Sequence, residues 1–255
     1  MAEPIRVDEA GGVLTLTLAR PQKKNALTAA MYRTLAEAID GAAADPQVRC
    51  VLIQAEGDAF TAGNDIADFA AVAAGAALPP DVSALLTALA CARTPLVAAV
   101  QGRAVGIGLT LLLHCDLVYV AEDALLSAPF ASLALTPEAA SSLLLPARIG
   151  HVRAFALFVL GETIDGRTAA AWGLANAALP ASEVQARARA AAQAIAARPP
   201  AAVAKTKALM RDEAALAARI EIEGAHFLDQ LKSREAREAF TAFIEKRAPD
   251  FSGGG

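Results

Sequence analysis

In the stretch GGVLTLTLAR, Leu14, Leu16 and Leu18 alternate with Val13, Thr15 and Thr17. This period of two predicts a half-buried strand entered from a Gly-Gly turn. After the polar loop RPQKKN the period lengthens: Met31, Leu35 and Ile39 share one helical face behind Thr28, an N-cap, and the helix should stop near Asp45-Pro46. Residues 48–55, VRCVLIQA, read as a second, more buried strand. The segment TAGNDIADFAAV reads as a loop running into a helix, AAGAALPPD as a flexible connection, and residues 81–91 as a further helix. The run TPLVAAVQGRAVGIGLTLLLHCDLVYVAED then gives a strand at 96–100, a glycine-rich turn, a short helix at about 108–114 and a strand at 117–120. Two such units, each with glycine where strand becomes helix, suggest a repeating β-turn-α spiral. A short strand near Leu125 and a helix begun at Thr136 follow. From Ser182 onward the patterns are almost purely helical, separated by prolines or caps, with Ser233 placed to cap at Ala236. We divide the chain into a core, residues 1–198, and a helical C-terminal region, residues 199–255.

Composition sharpens this reading. The 255 residues are 55% hydrophobic but only 5% aromatic, which favours packed helices over an aromatic-rich sandwich, so helix should exceed strand. A net charge of −4, with Lys and Arg scattered, argues against a nucleic-acid partner. The N-terminus carries acids where a secretory signal would be basic, and no apolar run is long enough to span a membrane, so a cytoplasmic protein without a membrane partner is expected. The SGGG ending is no peroxisomal signal. Cys50, Cys91 and Cys115 lack CxxC spacing and are expected to be buried, reduced thiols. His114, His151 and His226 share no metal-ligating or triad spacing, so each reads as a satisfied core or surface histidine, and no metal is expected.

The glycine turns carry the first candidate chemistry. Gly63 and the pair Gly106 and Gly108 sit where strands hand over to helices, so the amides that follow can face an anion. Tight turns and close packing explain the same glycines without any ligand. Neither GxGxxG nor GxxxxGK[ST] occurs, which argues against nucleotide phosphates.

The motifs RPQKKNALT, AFTAGNDI, AAVQGRAVGIGLTLLLHCDLVYV, SLALTPEAASSLLLPARIG and AFTAFIEKRAPDF, in this order from about Ile5 to Phe251, resemble the enoyl-CoA hydratase/isomerase (crotonase) superfamily. The resemblance implies an α/β fold, a crotonase-like spiral of β-β-α repeats with a helical C-terminal trimerisation region, assembled as a homotrimer or a hexamer of two trimers. It implies an acyl-CoA thioester substrate, with CoA as part of the substrate and no separate cofactor. Carried over, the main-chain N–H groups of Asn64 and Ile107 form an oxyanion hole. Ala62, Gly63, Asp65 and Ile66 line the path of the adenine and pantetheine. Lys23 and Lys24 lie near the CoA phosphates, although a solvated loop accounts for these lysines equally well. The resemblance also points Phe243 and Lys246 toward a neighbouring subunit's CoA.

The departure from the hydratase pattern is informative. Hydratases of this superfamily use two glutamates, and the aligned positions here hold Thr110 and Phe130. Activating water with these two groups is chemically difficult. LALTPEAASS is instead similar to the segment that carries the single catalytic glutamate of Δ3,Δ2-enoyl-CoA isomerases, and Glu138 falls on that residue. The plain alternative is a helix start, with Thr136 as N-cap, Pro137 at N1 and Glu138 at N2. A helix end would lower the Glu138 pKa, whereas a dry acyl pocket would raise it. The resemblance thus implies an isomerase using Glu138. The alternatives are a hydratase or other lyase of the same superfamily and a non-catalytic acyl-CoA-binding scaffold.

Overall fold

The computed structural model describes residues 3–65 and 79–252. The helix expected after Asp65, and with it Ile66, lies outside the described residues. Among the described residues, ten strands form two sheets. The larger has the order β1 (Ile5–Ala10), β2 (Val13–Leu18), β3 (Cys50–Ala55), β5 (Leu96–Val100), β7 (Leu117–Ala121) and β10 (Ala177–Leu179). The smaller has β4 (Ala59–Thr61), β6 (Arg103–Val105), β8 (Leu125–Ser127) and β9 (Thr163–Asp165). Each of β3, β5 and β7 continues directly into a strand of the smaller sheet. The repeat is therefore strand, strand, then helix, one step longer than the two-element unit read from the sequence, and it builds the two sheets side by side as a spiral. All pairs are parallel except β1 with β2 and β8 with β9.

Parallel strands are covered on both faces, so β3, β5 and β7 are buried almost throughout. For this reason β2 is not half-buried as its alternation suggests: all six residues are buried, Thr15 and Thr17 included. Thr17 Oγ1 accepts a hydrogen bond from Gln54 Nε2 at 3.1 Å, which offsets the cost of burying that hydroxyl. Helix α1 (Ala29–Ala44) starts where expected, with Thr28 accepting from the Met31 N–H, and buries Met31, Tyr32, Leu35 and Ile39. It packs on α2 (Pro80–Ala90). Cys50 and Cys115 are buried thiols, but Cys91 is exposed, since it follows the last turn of α2 where the chain leaves the core.

The segment expected as one helix around 108–114 is a four-residue α3 (Ile107–Thr110) tightening into a 3₁₀ turn at Leu111–His114. Beyond it lie α4 (Ser141–Ile149), α5 (His151–Phe155), α6 (Gly166–Ala171) and α7 (Ala181–Ala196). The helical end of the chain comprises α8 (Pro200–Leu209), α9 (Glu213–Leu231) and α10 (Arg234–Glu245), the last capped by Ser233 at the Ala236 N–H. Helix α8 buries a single side chain, Lys207, whose ammonium pairs with Asp116 at 2.8 Å and donates to the Thr94 carbonyl. No described helix is long and apolar enough to cross a membrane.

Candidate active site

Strands β4 and β6 are paired in parallel, so the turns at their C-terminal ends lie side by side. Gly63 follows β4 at φ +93°, and an added Cβ there would sit 2.9 Å from the Val105 carbonyl oxygen. Only glycine allows the two turns this approach. The Asn64 and Ile107 main-chain N–H groups follow in the two turns, and neither has an acceptor among the described residues. Such amides, fixed by a rigid pair of turns, are suited to a developing oxyanion.

Glu138 is tied to the same place. It is 6% exposed, and its Oε1 accepts from the Thr110 hydroxyl at 2.9 Å, three residues beyond Ile107 on α3. Its partner Thr110 thus stands one helical turn from one of the two amides. Burial raises its pKa to about 7; the Thr110 hydrogen bond opposes the rise and the Glu223 charge adds to it. Replacing Thr110 by Val removes the bond that favours the ionised form. The Glu138 carboxyl should then titrate about one unit higher, as read by ¹³C NMR of the side-chain carboxyl carbon.

The structure does not form the helix start expected at Thr136. Ala139 and Ala140 are both left-handed, at φ +60° and +54°, and α4 begins only at Ser141. Thr136 Oγ1 is buried without a hydrogen-bond partner, so it caps nothing. The cap comes from elsewhere: Glu223 Oε1 on α9 accepts from the Ser142 N–H at 2.8 Å. With the helix end displaced past Glu138, burial decides its pKa.

The other expected site residues divide. Ala62 is exposed, and its N–H bonds the Lys24 carbonyl at 2.9 Å. Asp65 accepts from Arg20 at 2.8 Å, while exposed Lys24 pairs with Asp58. These residues share one rim, since Leu27, two residues beyond the PQKKN loop, bridges to Asn64. Phe130 is buried against Phe158 and offers no acid. Phe243 and Lys246 are exposed on and just beyond α10.

Two residues of the site escaped the sequence reading. Tyr32, 1% exposed, donates its hydroxyl to Asn64 Oδ1, and burial together with the Glu138 charge pushes its pKa well above the ordinary value. Nothing in the α1 pattern distinguishes this ring from a core aromatic. Glu223 left a trace, because it shares the face of Leu216, Ile220, Phe227 and Leu231, where an acid is out of place. No group of His, Cys, Asp and Glu among the described residues could hold a metal.

The profile described as "Enoyl-CoA hydratase/isomerase" matches residues 8–254. A probable enoyl-CoA hydratase of Mycobacterium bovis is 32% identical over 252 residues, covering 98% of both chains. The 1,2-epoxyphenylacetyl-CoA isomerase of Escherichia coli is 31% identical over 252 residues, with 95% of each chain covered. Among solved structures, OdaA of Pseudomonas aeruginosa is 49% identical at a TM-score of 0.89, over 95% of this chain and 99% of that one. An enoyl-CoA hydratase/isomerase from Pseudoalteromonas atlantica superposes at a TM-score of 0.93 with 40% identity, covering 98% of this chain and all of the other.

Proposed function

Because the chain belongs to the enoyl-CoA hydratase/isomerase family, we propose that it is a Δ3,Δ2-enoyl-CoA isomerase with Glu138 as its single acid/base. The observation that carries this reading is a buried carboxylate with a pKa raised to about 7, bonded to Thr110 one turn from an unpaired amide, with both hydratase positions lacking an acid. Glu138 takes the proton from C2 of a 3-enoyl thioester. The electron pair moves toward C1, giving a dienolate whose oxygen accepts from the Asn64 and Ile107 amides. The protonated carboxyl then returns the proton at C4, leaving the double bond between C2 and C3. Each amide is worth about 10²- to 10³-fold in rate. A pKa near 7 suits both halves, since the group must accept and return a proton at the same pH.

The reaction is redox-neutral and its proton passes from C2 to C4 through Glu138, so no cofactor is needed beyond the CoA carried by the substrate. Ala62, Gly63, Asp65 and Ile66 would line the CoA path. Lys24 would have to leave Asp58 to meet a phosphate. The exposed apolar residues Val152, Phe155 and Leu160 fit burial in a homotrimer, or in a hexamer of two trimers.

Hydration of a 2-enoyl-CoA is the second reading, favoured by the names of several relatives. It needs a second carboxylate to hold water, and the acid that electrostatically faces Glu138, Glu223, has Oε1 committed to Ser142 and Oε2 buried without a partner, so Oε2 is the group that would have to serve. The test supplies each thioester separately. Isomerisation should exceed hydration by at least about 100-fold, the contribution of one well-placed acid or base. Comparable rates would select the hydratase, and tight binding without turnover of either would select a scaffold.

A further inference from the structure

The turn that presents Glu138 is unfavourable on its own. Two consecutive alanines in the left-handed region cost about 1–2 kcal/mol each, and neither has a side chain to compensate. Three hydrogen bonds hold the turn. The Ser141 N–H donates to the Glu138 carbonyl at 3.0 Å, the Ser142 N–H donates to Glu223, and the Ala139 carbonyl lies 2.7 Å from His114 Nε2.

The third bond reaches far. His114 is fully buried at the end of the 3₁₀ turn after α3, and its Nδ1 lies 2.6 Å from Arg211 Nη2. A guanidinium can only donate, so Nδ1 must accept and the ring proton must sit on Nε2, where it donates to Ala139. Arg211 also donates to the His114 carbonyl at 3.0 Å and to the Leu89 carbonyl at 2.8 Å, so it grips its neighbours at three points. Burial, followed by the Arg211 charge and the more distant Arg148 and Lys207, lowers the His114 pKa to about 3. The ring therefore stays neutral, in one tautomer, across the working range.

We propose that His114, oriented by Arg211, is a positioning residue for Glu138: its Nε2–H clamps the left-handed turn, so seating of the α8–α9 connection fixes the acid. This rests on the reading of Glu138 as the acid/base. Arg211 lies in the helical end of the chain, so the proposal makes that region part of the proton-transfer apparatus. The remaining groups that face Glu138 are Tyr32 from α1, Thr110 from α3 and Glu223 from α9, and the His114 ring bonds none of them.

The test compares His114→Gln, His114→Leu, Arg211→Met and the double variant His114→Leu/Arg211→Met. Each is assayed for isomerisation kcat and KM, for melting temperature, and for the Glu138 carboxyl titration by ¹³C NMR. A Gln amide nitrogen can still donate to Ala139 while its oxygen accepts from Arg211, so His114→Gln should keep kcat within about fivefold. His114→Leu should lower kcat by about 100-fold, the cost of a misplacement of around 1 Å, with KM within about twofold. It should also move the Glu138 titration back toward the ordinary carboxylate range as water enters. Arg211→Met frees the tautomer and should cost about tenfold, and the double variant should be no worse than His114→Leu, because both act through one bond.

A His114→Leu protein with a lower melting temperature but unchanged kcat and Glu138 titration would overturn the proposal. So would a His114→Gln variant as impaired as His114→Leu. If His114→Leu does not fold, Arg211→Met decides by the same readouts. Activity surviving in Glu138→Gln would instead sink the acid/base reading, and the carboxyl titration would still report whether the clamp exists.

Discussion

Glu138→Gln is expected to lower isomerisation kcat by about 10³- to 10⁴-fold while leaving acyl-CoA binding nearly unchanged, the upper range for one general acid/base. The same substitution should stabilise the fold at alkaline pH. The folded pKa of Glu138 is raised to about 7 from an ordinary 4.5, so between these values the folded state binds the proton that the unfolded state has released. Stability therefore falls as pH rises through this window, and above pH 7 the loss levels off. At 1.36 kcal/mol per unit the shift amounts to about 3 kcal/mol, which an uncharged, nearly isosteric Gln does not suffer. Denaturant titrations of both proteins at pH 4, 6 and 8 should show a gap that opens with pH. A gap that stays constant, or activity that survives, would contradict the assignment. The acid is thus placed at a cost to stability, as expected of a group kept for chemistry and not for packing.

Gly102→Ala carries the largest expected structural effect. Gly102 precedes β6 at φ +61°, and an added Cβ would fall 1.8 Å from the Asp58 carbonyl oxygen. That oxygen belongs to backbone just before β4, and Ala59 is bridged to Gly102 itself, so neither side can yield without parting β4 from β6. The same pairing sets the Gly63 turn against the Gly106 turn, so both amides of the site would move. We expect a loss of about 4 kcal/mol or more, a melting temperature lower by about 10 °C, and little active protein. Gly41→Ala is the matched contrast. It lies within α1 with no atom within 4 Å of the added methyl, and should stabilise by up to about 1 kcal/mol. Thermal melts that order the two variants otherwise would show that close backbone approach does not govern this sheet.

The legible parts of the fold are those where local pattern and final environment agree. The Thr28-capped helix, the apolar strands β3, β5 and β7, and the glycines at the strand ends all met the environments their patterns imply. β1 has one buried residue, Ile5, so there was little periodicity to read. The Thr136 helix start shows the opposite case. Its sequence satisfies the rules for a cap, a proline and an acid in the first turn, yet tertiary hydrogen bonds from His114 and Glu223 hold the next residues left-handed and postpone the helix. Glu138 could be singled out because its neighbours in the chain match a motif. Arg211, in a loop about a hundred residues from His114, offers no such signal, since one arginine in a polar turn looks like any other.

Helix α8 is fastened to the core mainly through Lys207 and its bond to Asp116, two residues beyond His114. A segment with so few buried contacts opens by local fluctuation long before the molecule unfolds. In the isolated chain its amides should therefore be among the first helical amides to exchange with deuterated solvent. Arg211 sits directly after this helix, so each opening also loosens the grip on His114. Proton transfer at Glu138 would then be timed by the breathing of a helix that contributes none of the groups facing it.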